Sequence, residues 1–212
     1  AGLANGTKYF PTPVRRRNPN LGTMGIFFTS AINNFNGFYI DLNRRFRGGL
    51  AFRANYTHGK SLDNSSSVTG SQAGGNPGVL LDPEDRMRDY GLSVFDVRDR
   101  FSMNSTYELP LGPGQTFLTG ATGITGKLVS GWQVNAILGL QSGFPFIPIL
   151  GFSQSRDGDT GFPDRPDMAP GRTLKGVYTD FRKTGRWVDP TAFALQVEGA
   201  YGNAGRNILI GP

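Results

Sequence analysis

The clearest feature of the sequence is an alternation of apolar and polar residues with a period of two. Between 94 and 109 the odd positions are mainly apolar or aromatic and the even positions are mainly polar. Because a strand places alternate side chains on opposite faces, this segment has one apolar and one charged face. As a single strand it would span roughly 50 Å, far more than the usual strand of about 5–6 residues.

The same alternation predicts four further strands, which are regular at 37–46, 49–59 and 130–142 and weaker at 23–31. Successive strands joined along the chain form an antiparallel meander when their connections allow it. The pattern therefore predicts an all-β fold, an antiparallel meander of long amphipathic strands.

The predicted connections differ in length in a regular way. Gly48 and Gly49 make a tight turn, and a connection of intermediate length covers 110–130, whereas 60–93 and 143–206 are long loops. Antiparallel strand directions place the two shorter connections at one end of the sheet and both long loops at the other. Short turns at one end and long loops at the other are typical of outer-membrane β-barrels. We therefore predict a segment of a large transmembrane β-barrel with long extracellular loops.

Composition narrows the possible classes of protein. The 212 residues include 31 Gly and 14 Pro, with 12% aromatic and 18% charged residues, which suits β-structure with many turns. The absence of cysteine excludes disulfides and thiolate metal sites. No apolar run reaches the roughly 18–20 residues of a transmembrane helix, and the N-terminal sequence does not resemble a signal peptide.

The net charge of +6 keeps a second class of protein open, a soluble basic β-sandwich that binds polyanions. Ordinary soluble sheets also alternate, with the apolar face turned to the core. Strand length, the charged face and the unequal connections favour the membrane barrel. A third interpretation, an outer-membrane hydrolase, has the least support.

The candidate catalytic and metal-binding residues have simpler explanations. His58 is the one histidine and lies near Ser61 and Asp63, but a catalytic triad needs residues that are distant in sequence, and nothing else indicates one. The stretch Asp157–Gly161 resembles the start of a calcium loop but lacks the glutamate at its twelfth position. We expect no enzyme activity, no catalytic, metal or cofactor-binding residues and no cofactor.

Clusters of arginine raise the question of nucleic-acid binding. Arg15–Arg17 form one run, and Arg98 and Arg100 lie on the polar side of a predicted strand with Asp96 and Glu108. Since no nucleic-acid-binding motif accompanies them, a solvated barrel lumen with mixed charges explains them better, and we expect no nucleic-acid partner.

Aromatic residues mark the ends of the predicted strands. An interfacial girdle is the functional interpretation of these rings, and packing in a core is the alternative. The residues concerned are Tyr56, Phe95, Tyr107 and Trp132. After the last strand, Phe144, Pro145, Phe146 and Pro148 either pack at the barrel mouth or contact a ligand; the sequence does not decide, and the substrate-binding residues are unknown.

An ordered set of motifs resembles Oar-like TonB-dependent outer-membrane receptors and covers most of 20–212. The motifs are Tyr56-Thr-His-Gly-Lys-Ser-Leu-Asp63, Asp89-Tyr-Gly-Leu-Ser-Val-Phe-Asp-Val-Arg-Asp-Arg-Phe101, Tyr107-Glu-Leu-Pro-Leu-Gly112, Gly131-Trp-Gln-Val134, Gln141-Ser-Gly-Phe-Pro-Phe146, Asp164-Arg-Pro-Asp167, Trp187-Val-Asp-Pro-Thr-Ala-Phe193 and Gly202-Asn-Ala-Gly-Arg-Asn207.

The resemblance implies the late part of a barrel of about 22 strands in the outer membrane of a Gram-negative cell. It also implies binding and energised uptake of an unidentified solute. The implied partners are outer-membrane lipid, the rest of the barrel with its plug, and an inner-membrane energising complex. Since no plug, TonB-contacting segment or closing strands are recognised, we expect 1–212 to be a partial barrel that is not a stable monomer in water.

Overall fold

The computed structural model describes residues 2–3, 7–15, 18–21, 29–66, 80–158 and 164–212. They divide into two compact units. The sheet unit comprises 36–59 and 97–142, and the loop unit comprises 1–35, 60–96 and 143–212. The strand predicted at 23–31 falls mainly on residues outside the described part of the chain.

Four strands form the main path of the sheet, in the order β1-β2-β4-β5. Their bounds are Asn33–Arg47 for β1, Leu50–Asp63 for β2, Asp99–Glu108 for β4 and Gln133–Gln141 for β5. β4 pairs antiparallel with both β2 and β5, and the short β3, Gly91–Leu92, pairs with the end of β2. A transmembrane β-strand needs about 9–11 residues, which is the length of β4 and β5.

Strand register places the apolar residues of neighbouring strands on one face. Phe101 of β4 lies opposite both Tyr56 of β2 and Leu140 of β5. Met103 lies opposite Leu138 in the same way. A slip of one residue would have reversed every side chain, so this register places the apolar residues of β4 and β5 on one common surface.

The opposite face carries polar pairs that cross from strand to strand. Three hydrogen bonds link neighbouring strands on this face. Arg53 Nε donates to Asp41 at 3.0 Å, Thr106 Oγ1 donates to Asn135 at 2.8 Å, and Arg100 Nη2 donates to Gln141 at 3.4 Å. Ile137 is an apolar exception on this face and is 87% exposed. The sheet is therefore amphipathic.

Several features differ from the sequence predictions, and β1 begins four residues earlier and β5 three residues later than predicted. The strand predicted at 94–109 begins only at Asp99, because the backbone N–H of Asp96 donates to Ser93 O at 3.0 Å and forms a turn. β2 continues past 59 to Asp63, since β3 prolongs its pairing. The connection 110–130 contains a helix, α1, at Gly123–Val129.

The two long loops, and the residues that follow the second one, contain short elements. They are β3, β6 (Pro145–Phe146), β7 (Asp167–Met168), β8 (Phe193–Ala194), β9 (Leu209–Ile210), α2 (Phe181–Thr184), and three single 3₁₀ turns at Arg86–Asp89, Leu174–Gly176 and Pro190–Ala192. β6 pairs with β9, and β7 pairs with β8. Asp63, at the end of β2, and Asp157, in the second long loop, both belong to the loop unit.

The loop unit has a small apolar core and a larger polar one. Val177, Ala192 and Leu209 form the apolar core. Twelve polar or charged residues are buried in the described chain, against seven hydrophobic ones, and all of them lie in this unit. No helix in the described part of the chain is long and apolar enough to span a membrane.

Candidate functional site

The apolar face of the sheet presents large side chains to its surroundings. Phe38 and Leu42 of β1 are 55% and 58% exposed, and Leu138 and Leu140 of β5 are 41% and 58% exposed. Soluble monomers seldom expose so large a continuous apolar surface, because exposure to water costs roughly 25 cal/mol per Å². This face is therefore suited to contact with hydrocarbon.

The apolar side chains of the sheet form a band that ends at a charged residue. Along β4 the band runs from Phe101 to Tyr107, about 20 Å of strand, and Asp99 lies beyond it on the same face.

Aromatic side chains lie at both ends of this band. Tyr107 and Trp132 are at the end near the Gly48–Gly49 turn and are 40% and 59% exposed. The indole N–H of Trp132 donates to Leu128 O at 2.7 Å, so its polar atom is satisfied. Tyr56 lies towards the other end, opposite Phe101. Phe95 precedes β4 in a turn and is 71% exposed.

His58 forms a hydrogen-bonded cluster on the apolar face. Its Nδ1 lies 2.8 Å from Asp99 Oδ1, and the Tyr56 hydroxyl donates to the same oxygen at 2.6 Å. The Phe38 ring lies 5.6 Å from the imidazole. These polar groups satisfy one another at the edge of the apolar band, which lowers the cost of placing them on a lipid-facing surface.

The structure does not bring His58, Ser61 and Asp63 together. The backbone N–H of Ser61 donates to Asp96 Oδ1 at 2.6 Å, and Asp63 pairs with Arg206. The only histidine is thus bonded to Asp99 on a face with apolar neighbours.

The suggested calcium loop is described only in part. Tyr201 donates its hydroxyl proton to Asp157 Oδ2 at 3.2 Å, and burial, followed by the nearby Asp157 charge, raises the pKa of Tyr201 far above its ordinary value. Asp159 and Gly161 lie outside the described residues. Where the structure describes the chain, no group of three or more His, Asp or Glu residues could hold a metal ion.

The arginines that the sequence analysis considered for nucleic-acid binding do not form one cluster in the described part of the chain. Arg100 belongs to the polar face of the sheet, where it bonds to Gln141. Arg15 is exposed, and Arg16 and Arg17 lie outside the described residues.

Sequence reasoning missed a buried charge network that joins the two long loops. Arg206 Nη1 donates to Asp63 Oδ1 at 2.6 Å and to the carbonyl oxygen of Asp89 at 3.2 Å, and its Nη2 donates to Ser66 Oγ. Arg165 pairs with the Asp89 carboxylate at 2.7 Å. Since all four charged residues are 6% exposed or less, loss of one partner would leave a buried charge uncompensated.

The pKa of Arg165 reflects its burial in this network. Burial lowers the pKa of Arg165, and the adjacent Asp89 carboxylate opposes that effect. Asp89 also accepts a hydrogen bond from the backbone N–H of Leu81 at 2.7 Å, so both of its oxygens are used.

Close backbone packing surrounds the network. A Cβ on Gly202 would clash with the carbonyl oxygen of Arg165, so the chain requires glycine there. Asn207 adopts a positive φ of 54°, and its side-chain amide donates to Leu92 O at 2.6 Å. The signal for this site was already in the sequence, since Gly202–Asn207 is one of the motifs quoted above.

The loop unit also contains an open cleft of about 530 Å³. It is lined by Phe146, Pro148, Ile149, Leu150, Pro166, Arg186, Val188, Pro190, Phe193, Ala194, Leu195 and Leu209. Two residues from the segment after the last long strand, Phe146 and Pro148, thus contribute to the cleft. Pro145 is buried within β6, and Phe144 is 49% exposed.

Comparison with known families identifies the class of protein. Residues 3–212 match the family model described as an outer membrane beta barrel domain. The chain belongs to this family. The protein is located in the outer membrane, and its amphipathic sheet is part of a transmembrane β-barrel. No curated protein and no solved structure matches the chain.

Family membership removes the soluble basic β-sandwich from consideration. A sandwich would pack the apolar sheet face against a second sheet. In this outer membrane β-barrel protein the face remains exposed, as Leu138 and Leu140 show, because its environment is the hydrocarbon of the bilayer.

Proposed function

We propose that this outer membrane β-barrel protein acts as part of an Oar-like TonB-dependent receptor. The receptor binds a solute at the cell surface and takes it up with energy from an inner-membrane complex that acts through a plug domain. The ordered motifs from Tyr56 to Asn207 support this assignment within the broader family.

The observation that carries the proposal is the folding of both long loops into one unit. Residues 60–96 and 143–212 share a buried ionic network, and residues between 146 and 209 line a cleft. Binding residues are commonly placed on loops that a rigid scaffold positions, and a fixed network keeps such loops ready for a ligand. A simple diffusion pore has no need of such a unit.

A transport role is also consistent with the surroundings of His58. His58, the most suggestive catalytic side chain, is bonded to Asp99 and Tyr56 and borders the apolar band. We propose a receptor and transporter, not an enzyme.

Uptake by living cells tests the proposal. Gram-negative cells that produce the full-length protein would be given a defined mixture of peptides and oligosaccharides, and mass spectrometry would measure what accumulates in the periplasm. We expect at least one solute to accumulate only when the energising complex is functional. An Arg206→Leu variant, which disrupts the loop unit, should abolish that accumulation.

Two results would contradict the proposal. Accumulation that continues unchanged without the energising complex would indicate a diffusion pore. Accumulation that survives disruption of the loop unit would show that the loops do not select the solute.

A further inference from the structure

The cleft in the loop unit is almost entirely apolar. Eleven of its twelve lining residues are apolar, including Phe146, Phe193 and Leu209, and the twelfth is Arg186. Its volume of about 530 Å³ falls within the roughly 300–1,000 Å³ of small-molecule sites, which are typically apolar with a few polar groups that orient the ligand.

The walls of the cleft are held in place before any ligand binds. Pro148, Pro166 and Pro190 have φ fixed by their rings. The β6–β9 and β7–β8 pairs supply further lining residues, and Leu209 belongs at the same time to the apolar core. A preformed site loses less conformational entropy on binding.

Arg186 is the one charged group at the cleft. Its backbone is fixed from both sides, because its N–H donates to Thr184 Oγ1 at 3.2 Å and its carbonyl oxygen accepts from the same hydroxyl at 3.0 Å. Arg186 is an exposed residue, and it has no ion pair within the described part of the chain. Other arginines of the loop unit do have carboxylate partners; they are Arg156, Arg165, Arg172 and Arg206.

We propose that this cleft binds a small apolar molecule with one carboxylate, which pairs with Arg186 while the apolar part fills the cleft. A guanidinium matches the planar carboxylate with two parallel hydrogen bonds. A single cation also compensates a single negative charge. The inference deepens the proposed function, since it names the class of solute, but binding itself requires no energised uptake.

Calorimetric titration of the full-length protein in lipid nanodiscs tests the inference. The probe is naphthalene-2-acetate, and its uncharged counterpart is naphthalene-2-acetamide. We expect the amide to bind at least about tenfold more weakly, since the charge-assisted pair is lost. Arg186→Gln should reduce acetate binding to the level of the amide. Arg182→Gln, which removes an exposed arginine that does not line the cleft, should leave the preference unchanged.

A second variant tests the location of the apolar part. Ala194→Trp would fill the cleft and should abolish binding of both probes, with hydrogen exchange of the loop unit confirming that the variant is folded. Equal binding of acetate and amide, a preference that survives Arg186→Gln, binding that survives Ala194→Trp, or no binding to the wild-type protein would each overturn the proposal.

The outcomes separate this inference from the proposed function. Acetate binding that depends on Arg186, in a protein that shows no energised uptake, supports the site and contradicts the transporter. Energised uptake by a protein that binds neither probe supports the transporter and overturns the site.

Discussion

The sheet unit and the loop unit differ in where their buried residues lie. Among the described residues, every buried residue other than glycine belongs to the loop unit. In contrast, β5 is exposed along its whole length and β1 at every position except Asp41. The sheet keeps its side chains for contact with lipid and with the barrel lumen, whereas the loop unit has a core of its own.

The two units are also stabilised by different interactions. The sheet separates apolar from polar residues by strand parity, as Leu138 and Asn135 illustrate on its two faces. The loop unit mixes them and depends on hydrogen bonds between buried charges, such as Arg206 with Asp63. Hydrophobic burial is non-directional, but a buried ion pair tolerates only one geometry. The difference predicts which substitutions each unit tolerates.

Arg206→Leu should have the largest effect and should affect only the loop unit. It leaves Asp63 buried without its partner, which typically costs about 3–5 kcal/mol. Hydrogen exchange should show loss of protection in 60–96 and 143–212 with unchanged protection in β4 and β5. Arg172→Leu breaks a more exposed pair with Asp189 and should destabilise the protein much less. Equal effects of the two variants would show that the buried network does not hold the loops.

Met103→Arg should be the most damaging single change tested in the sheet. Met103 lies in the middle of β4 on the apolar face, where an arginine in a lipid-facing barrel position costs about 2–4 kcal/mol. Asn104→Arg, one residue further on the polar face, should cost little. Urea unfolding of each variant in lipid vesicles measures its loss in free energy of unfolding. A larger loss for Asn104→Arg would reverse the assignment of the two faces.

Gly202→Ala tests the close packing in the loop unit. The added methyl group clashes with the Arg165 carbonyl oxygen and should cost about 1–3 kcal/mol. Gly151→Ala is the matched control in the same unit, since a Cβ there meets nothing within 4 Å. Limited proteolysis of the loops should distinguish the two variants. If both resist the protease equally, the backbone approach at Gly202 is not a constraint.

The smallest effect concerns acid conditions. Hydrogen bonds from Thr191, with Arg172 nearby, hold the pKa of Asp189 below its ordinary value. The stabilisation is present above the unfolded pKa and is lost as the pH falls through the lowered folded pKa. Hydrogen exchange of 186–195, corrected for its intrinsic pH dependence, should rise in that range. Asp189→Asn should remove the pH dependence, and persistence of it would assign the effect to another group.

Much of the sheet could be predicted from the sequence, because strand parity is a local property. The common face of Phe101 and Leu138 follows directly from alternation. The start of β4 could not be predicted in this way, since residues 95–98 continue the alternation while the Ser93–Asp96 turn interrupts the strand.

The contacts between distant residues of the loop unit could not be predicted from the sequence, for a physical reason. Arg206 and Asp63 are 143 residues apart, and no periodicity links them. The cleft likewise combines residues from 146 to 209 that share no spacing. The position of Arg186 beside the apolar cleft could not be predicted either, because folding brings the cleft residues together and no local sequence pattern marks Arg186.

Labels at neighbouring positions of β5 test the central claim, that one face of this sheet contacts lipid. Because the chain has no cysteine, Leu138→Cys and Ile137→Cys each provide a single site within it for a nitroxide spin label. In the outer membrane, the label at 138 should be accessible to oxygen dissolved in lipid and shielded from a water-soluble nickel complex. The label at 137 should show the reverse. Access of the nickel complex at 138, with shielding at 137, would contradict the account.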